Sequence, residues 1–346
     1  MKKRKRLYIL SGLVMFLCMG TIYSWSVFRG PLIKELELIS GEHIGATLAQ
    51  MPYTLFLLMY SFTMPFSGKL IKKIDPRILC ISGSLLVALG WILAGSSTSI
   101  YQIMWTYGVL GGLGVGIVYG VPIAIVTEWF PHRKGLAVGI TLMGFGISPL
   151  ISAPIANALI NKSGVFQAFK DMGFAFAVVL GLLSLLFQFP KEKIELHKIS
   201  KNEVEFTTKE MLKTKSFYAL WACFVIGTFV GLTMVGIASI YAQETVGLKR
   251  ETATILLSVF AIFNGIGRPI FGSLVDKIGT KKTIYLSYTL IAISSLLQII
   301  NSENTVIFIV SFILFFLNLG GWLSIVPAAN INLFGREYST QNYGFL

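Results

Sequence analysis

The stretch "RPIFGSLVDKIG" (268–279) is the second copy of an internal repeat, and this repeat indicates how the chain is organised. A shift of 204 residues lays "MPFSGKLIKKID" (64–75) on it. The coinciding pairs are Pro65 and Pro269, Gly68 and Gly272, Leu70 and Leu274, Lys73 and Lys277, and Ile74 and Ile278. At the same shift Gly116 meets Gly320 and Phe130 meets Phe334. The repeat therefore predicts two similar halves that run in the same direction.

The composition indicates a polytopic all-α membrane protein. Mean hydropathy is +0.73, and only 13% of the 346 residues are charged, against roughly 25% in soluble proteins. The apolar residues form blocks of about 20, the length that a helix needs to cross the hydrocarbon layer. We predict ten spans, at about 7–28, 46–68, 78–97, 101–127, 136–159, 172–189, 217–241, 252–272, 283–300 and 305–329.

The longest polar interval divides these spans into six and four. It predicts a six-helix bundle at 1–189, a cytoplasmic linker at 190–216 and a second bundle at 217–346. The first half continues for two spans beyond Phe130, whereas the chain stops soon after Phe334. We therefore expect a C-terminally truncated chain with 10 of 12 spans, although a natural ten-span protein is the alternative.

Basic residues predict the orientation. With the N-terminus inside, 22 of the 29 Lys and Arg fall in inner segments and 6 in outer segments, while Arg268 lies in a span. The positive-inside rule then places the N-terminus in the cytoplasm and the protein in the cytoplasmic membrane. Attraction to anionic lipid accounts for the net charge of +13 without a nucleic acid partner. We expect a monomer.

Other chemistry finds little support in the sequence. Cys18, Cys80 and Cys223 are scattered through apolar blocks, and the three histidines lie far apart, so we expect no disulfide, metal or cofactor. Neither an intramembrane acid nor a nucleophile with a nearby base is visible, which argues against an enzyme.

Glycines and prolines suggest where helices pack closely or move. Gly108, Gly112, Gly116 and Gly120 recur every four residues, a spacing that permits close helix packing or sliding during gating. Pro149, inside a span, predicts either a hinge or a static bend.

"GSLVDKIGTKK" (272–282) resembles the loop signature G-x-L-x-D-x-x-G followed by basic residues of the major facilitator superfamily. The resemblance implies the major facilitator fold, two pseudo-symmetric bundles with a substrate site between them. Gly68, Gly272 and Asp276 are the expected conformational residues of the two loop copies. The first copy has Lys72 where the second has Asp276, which weakens its usual role.

A narrower resemblance rests on "GTIYSWSVF" (20–28), "NGIGRPIFG" (264–272) and "NLGGWLSIVPAAN" (318–330), which are similar to the oxalate/formate antiporter family and its monocarboxylate relatives. In that family an arginine of the eighth span and a lysine of the eleventh bind carboxylates, and aromatic side chains enclose them. The arginine corresponds to Arg268, and the lysine's span is absent. Tyr23, Trp25 and Trp322 are the expected aromatic counterparts.

Arg268 itself admits two interpretations. It is either an interfacial anchor that reaches out to the membrane surface or the cation that binds an anionic substrate. The first half has Met64 at this position, and no Asp or Glu lies inside a predicted span to pair with it. A guanidinium fits a carboxylate through two parallel hydrogen bonds, and Asn264, one turn earlier, either orients it or binds the anion.

The sequence thus predicts a secondary transporter for small carboxylates such as oxalate, formate, lactate or pyruvate, working by alternating access and exchange. The alternatives are a carrier for a sugar, nitrate or drug in which Arg268 is structural, and a non-transporting membrane sensor.

Overall fold

The computed structural model describes residues 2–71, 73–190 and 205–346. All regular elements within these ranges are helical. Lys72 and most of the predicted linker lie outside the described residues, so the predicted boundaries at 190 and 216 stay a prediction.

Eight helices precede the linker, and we call them the first bundle. They are α1 (Lys2–Met19), α2 (Trp25–Ser40), α3 (Ala46–Leu70), α4 (Pro76–Ala94), α5 (Ile100–Ile103), α6 (Gly112–Trp129), α7 (Lys134–Ser163) and α8 (Val165–Ser184). A 3₁₀ turn at Gly20–Ser24 joins α1 to α2, and a π-helical stretch at Met104–Gly111 joins α5 to α6.

Six helices lie in the described part of the chain after residue 205. The short α9 (Thr208–Met211) falls inside the predicted linker, and the second bundle consists of α10 (Lys215–Glu244), α11 (Arg250–Ile278), α12 (Thr280–Ile300), α13 (Thr305–Phe334) and α14 (Ser339–Tyr343). The repeat is visible in the structure, because α14 begins 204 residues after the first turn of α7.

Nine helical segments of the described chain are long and apolar enough to cross a membrane, one fewer than the ten predicted spans. The difference is α3, which forms over the predicted span 46–68 but is more polar. It carries Gln50, Thr54, Ser61, Thr63 and Ser67 along its length. Helix α3 packs against α6, so it is a member of the bundle although its hydropathy does not mark it as a span.

Glycines let α6 and the preceding π-helical stretch approach α3. A Cβ at Gly108 would lie 3.0 Å from the main-chain oxygen of Pro52, and one at Gly112 would lie 2.5 Å from that of Phe56. Gly116 faces Tyr60 in the same way, at 2.7 Å. The four-residue glycine spacing therefore builds a close helix contact, as the packing interpretation predicts.

The two bundles meet mainly where α7 packs along α11. Gly135 of α7 lies directly against the backbone of Gly272 in α11, and Gly139 lies against the main chain of Arg268. Cβ atoms at either glycine would overlap the partner backbone, so only glycine allows this approach.

A second contact between the bundles lies at the end of the molecule that carries residues 73–75, 130–133 and 335–338, which we call the basic end. Here α14 packs against α3. The backbone of Gln341 lies against Gly68, and the side-chain methyl of Thr340 lies against Gly120 of α6. Both contacts between the bundles thus reach the basic end and close it.

The described end of the linker is attached to the segment that joins α13 to α14. The Glu205 carboxylate accepts hydrogen bonds from the main-chain N–H groups of Arg336 (3.0 Å) and Glu337 (2.8 Å). The Phe206 N–H donates to the main-chain oxygen of Phe334 (2.9 Å), and Thr208 donates to Asn342 (2.7 Å). The linker end therefore fixes the position of α14.

Candidate functional site

Arg268 lies in the interior of α11, at the contact between the two bundles, and its exposed fraction is 0%. An arginine buried within a membrane-spanning helix requires compensation, since desolvating the charge is costly. The interpretation as an interfacial anchor is therefore wrong for this conformation, because the side chain reaches neither surface.

One hydrogen bond links the Arg268 guanidinium to the opposite bundle. Its Nη1 donates to the main-chain oxygen of Leu142 in α7, at 2.7 Å. Nε and Nη2 are buried and have no hydrogen-bond partner within the described part of the chain. No described carboxylate pairs with the guanidinium either. These two N–H groups lie side by side on one edge of the guanidinium plane, and this edge is unsatisfied.

Aromatic rings surround the guanidinium. Its Cζ lies 5.8 Å from the ring centre of Phe145, within the range of a cation–π contact. Tyr23 stands edge-on to Phe145 at 5.2 Å between centroids. Its phenol lies close to the Arg268 guanidinium, but it does not meet hydrogen-bond geometry with Nε or Nη2. Tyr23 is 37% exposed, so it is the accessible neighbour of a buried charge.

Three further tyrosines continue this aromatic surface. With Tyr23 they form what we call the tyrosine cluster, which consists of Tyr23, Tyr60, Tyr119 and Tyr343. Tyr119 of α6 lies 5.1 Å from Tyr60 of α3 and 6.4 Å from Tyr343 of α14, measured between ring centroids. Tyr343 also lies within electrostatic range of Arg268. Phenols from four helical segments therefore gather in one cluster, and two of them, Tyr23 and Tyr343, lie near the cation.

Asn264 lies one turn before Arg268 on α11. Its side-chain oxygen is buried without a hydrogen-bond partner among the described residues, and its main chain lies against Gly320 of α13. The predicted proximity to Arg268 follows from the helix, whereas a direct role in binding stays a prediction.

The structure does not place the two predicted tryptophans beside the guanidinium. Trp25 stacks on Tyr107 at 5.0 Å inside the first bundle. Trp322 packs against Tyr288 at 5.4 Å and against Gly227 in the second bundle. Both indole N–H groups are buried without a partner among the described residues, so their role in a site stays a prediction.

Three of the residues predicted to govern conformation, Asp276, Gly272 and Gly68, lie at the contacts between the bundles. Asp276 accepts hydrogen bonds from the N–H groups of Gly135 (2.9 Å) and Leu136 (2.8 Å) at the start of α7. A carboxylate at a helix N-terminus is stabilised by the unpaired N–H groups and the helix dipole. Gly272 and Gly68 provide the close approaches described above.

Pro149 lies inside α7, which continues unbroken from Lys134 to Ser163. Next to it, the Ser148 hydroxyl donates to the main-chain oxygen of Leu17 (2.6 Å), and Ser152 bonds Ser24 (2.7 Å). These bonds attach α7 to α1 and to the 3₁₀ turn, and the hinge stays a prediction.

Sequence reasoning missed the α7 side of the site. Leu142, Phe145 and Gly146 of α7 contact Arg268. Sequence reasoning also missed Tyr119 and Tyr343, which belong to the tyrosine cluster. The available signal was the segment "MGFG" (143–146), in which two glycines flank an aromatic residue inside a span. Across the described residues no group of three His, Cys, Asp or Glu is placed to hold a metal ion.

These observations define a multi-pass helical membrane protein whose two bundles meet around a buried, incompletely paired cation. The chain belongs to the Major Facilitator Superfamily of transporters, whose sequence profile matches residues 7–346.

Named relatives agree with this membership. The oxalate:formate antiporter of Oxalobacter formigenes is 32% identical over 340 residues, which cover 97% of this chain and 79% of that protein. Monocarboxylate transporter 12 of Homo sapiens is 30% identical over 252 residues, or 65% of this chain and 49% of that protein.

A solved structure of the same fold is the Major Facilitator Superfamily transporter FucP in the outward conformation. Its TM-score is 0.70 at 15% sequence identity, and the match covers 98% of this chain and 88% of that chain. The predicted fold class is therefore confirmed.

Proposed function

We propose that this chain moves small organic anions, carboxylates such as oxalate, formate, lactate or pyruvate, across the cytoplasmic membrane by alternating access and anion exchange. The observation that carries the proposal is the Arg268 guanidinium, which is fully buried and has two donors of one edge without a partner among the described residues. The names of the similar antiporter and monocarboxylate transporter support the same class of cargo.

The geometry of the free edge favours a carboxylate. Nε–H and Nη2–H are parallel donors, and a carboxylate accepts both at once, which is stronger than one neutral hydrogen bond. Nη1 already donates to Leu142, at 2.7 Å, so the edge formed by Nε and Nη2 is the one on which neither nitrogen has a partner among the described residues. Phenols of the tyrosine cluster can donate to the remaining oxygen lone pairs.

The burial of Arg268 fits a carrier in a closed, empty conformation. An anion reaches the free edge only when the bundles separate beside Tyr23, the exposed neighbour of the guanidinium. The contacts of Asp276 with the start of α7 and of Gly68 with Gln341 keep the basic end shut in this conformation. Breaking those contacts would open the basic end, as alternating access requires.

Exchange follows from the cost of the empty site. A desolvated cation without its counter-ion is costly to move through the membrane interior, whereas a bound carboxylate neutralises it. The carrier therefore reorients best when loaded. The distribution of Lys and Arg, 22 inside against 6 outside, supports a cytoplasmic N-terminus and a cytoplasmic location for the basic end.

An uptake panel tests this function. Labelled oxalate, formate, lactate and pyruvate are offered to cells or proteoliposomes containing the chain, its Arg268→Gln variant, or Arg29→Gln. Arg29 is the matched control, because it is an exposed arginine that contacts Gln50. We expect at least one anion to be taken up, and only Arg268→Gln to abolish uptake at unchanged membrane abundance. Equal carboxylate uptake by Arg268→Gln, or uptake of a neutral solute only, would contradict the proposal.

A further inference from the structure

One face of α7 forms the wall against which Arg268 lies. Gly135, Gly139, the main-chain oxygen of Leu142 and Gly146 follow one another at intervals of three or four residues, so they lie on the same side of the helix. Gly135 and Gly139 contact the backbone of α11. Gly146 is different, because the nearest atom that its Cβ would meet belongs to the Arg268 side chain.

The space at Gly146 is set by the guanidinium. A Cβ there would lie 3.0 Å from Nε and 3.3 Å from Cζ of Arg268. Carbon atoms pack at about 3.5–4.0 Å, so a methyl group would push against the side chain. The guanidinium has little freedom to yield, since Leu142 holds Nη1 at 2.7 Å and Phe145 lies 5.8 Å from Cζ.

We propose that Gly146 is a positioning residue for the anion site. The missing side chain lets the guanidinium lie in the notch between Leu142 and Gly146, and this orientation fixes where the free Nε and Nη2 edge points. The inference rests on the function proposed above and names a residue that acts through Arg268. A methyl at Gly146 turns the plane of the guanidinium, so that a carboxylate gains one of the two parallel hydrogen bonds and loses the other.

The orientation also determines selectivity. A carboxylate accepts from both donors only when its own plane coincides with the plane of the guanidinium. A spherical anion such as chloride has no such requirement, so it binds a turned guanidinium almost as well. Gly146 therefore favours carboxylates over simple inorganic anions, and loss of this preference is a result that helix packing alone does not produce.

The simpler interpretation is that Gly146 only allows α7 to approach α11. It has support, because the same Cβ would lie 3.0 Å from the Cα of Gly265. A packing role makes the effect of Gly146→Ala independent of the side chain at 268, whereas a positioning role requires the guanidinium. A double-mutant cycle separates the two.

The cycle uses the purified full chain with Gly146→Ala, Arg268→Lys and both together. Lysine keeps the charge, but it has no planar fork and is not held flat by Leu142. Oxalate, formate, lactate, pyruvate and chloride are titrated, and binding is read as thermal stabilisation. Initial uptake rates then give KM and Vmax for the anions that bind. Gly181→Ala in α8 is the control, because nothing lies within 4 Å of a Cβ there.

We expect Gly146→Ala to weaken carboxylate binding roughly tenfold, the value of one charge-assisted hydrogen bond, with KM raised and Vmax nearly unchanged. Chloride binding should change less than twofold. In the Arg268→Lys background, Gly146→Ala should have little further effect. An equal loss in both backgrounds, or no loss with arginine present, overturns the positioning role.

Two other outcomes are equally informative. If Gly146→Ala fails to fold, Arg268→Lys should restore the fold, since the obstructing guanidinium is gone; a double variant that also fails places the clash on Gly265 and overturns the inference. If Arg268→Lys binds all four carboxylates as the unaltered chain does, or the unaltered chain binds none, the proposed function itself fails.

Discussion

The Nη1 atom of Arg268 donates to the main-chain oxygen of Leu142 at 2.7 Å, and this bond joins α11 of one bundle to α7 of the other. The same guanidinium leaves Nε and Nη2 without partners in the described structure. One side chain thus links the two moving parts of a superfamily whose members work by relative motion of their bundles. The predictions below test this arrangement and the contacts that close the basic end.

Asp276 should stabilise the closed basic end. Asp276→Asn removes the charge and one of the two acceptors for the N–H groups at the start of α7. The closed basic end then loses about 1 kcal/mol of stability, which raises the population of molecules with an open basic end roughly fivefold. Thr340→Cys, in a chain whose native cysteines are replaced by alanine, should then react about fivefold faster with a maleimide. The matched control is Asp75→Asn, because the Asp75 carboxylate caps α4 by accepting from the N–H of Arg77 (2.8 Å). If the maleimide reaction is equally fast in Asp276→Asn and Asp75→Asn, Asp276 does not hold the basic end closed.

Gly120 should be required for α14 to lie against α6. In Gly120→Ala the new methyl would overlap Cγ2 of Thr340, and overpacking of this kind destabilises a protein by about 1–3 kcal/mol. Thr340→Ser removes the obstructing methyl, so the double variant should regain most of the thermal unfolding midpoint. The prediction is wrong if the two substitutions simply add, or if Gly181→Ala lowers the midpoint as much.

Glu205 should hold the segment between α13 and α14. Glu205→Gln leaves one acceptor for two main-chain N–H groups, a loss of about 1 kcal/mol. Hydrogen exchange at the amides of Arg336 and Glu337 should accelerate about fivefold. Glu303→Gln, at an exposed position, should leave exchange at both amides unchanged. Slow exchange in both variants would show that the Glu205 carboxylate does not hold this segment.

Transport should depend on an anion on the opposite side of the membrane. Proteoliposomes preloaded with a transported carboxylate should take up the labelled anion several-fold faster than empty ones, since the unloaded cation is costly to reorient. Chloride-loaded vesicles of equal osmolarity are the control. Equally fast uptake into empty vesicles would exclude obligatory exchange.

Much of the fold could be predicted from the sequence, because long apolar helices, the 204-residue repeat and the separation of basic residues are properties of the chain itself. Helix α3 forms over the predicted span 46–68, although its polar residues lower its hydropathy. It packs against Gly108 of the π-helical stretch and against Gly112 and Gly116 of α6, a tertiary contact that hydropathy does not report.

The candidate site was less predictable. Arg268 stood out because a charge inside an apolar span is rare. Trp25 and Trp322 were expected beside it, but the 3₁₀ turn at Gly20–Ser24 changes the helical phase before Trp25, and Trp322 faces Tyr288 instead. Leu142 was missed because every residue carries a main-chain oxygen, and Gly146 was missed because the glycines of "MGFG" (143–146) do not show which helix they face.

Whether Arg268 binds the anion is shown most clearly by measuring the distance between the bound anion and the guanidinium. Solid-state NMR on the reconstituted chain, with ¹³C-carboxyl oxalate or formate and ¹⁵N-labelled arginine side chains, measures their dipolar coupling. We predict a carbon–nitrogen distance of about 4 Å, as a bidentate pair requires, which persists in Arg29→Gln and disappears in Arg268→Gln. Saturated binding without such a coupling, or a coupling unchanged in Arg268→Gln, would contradict the account.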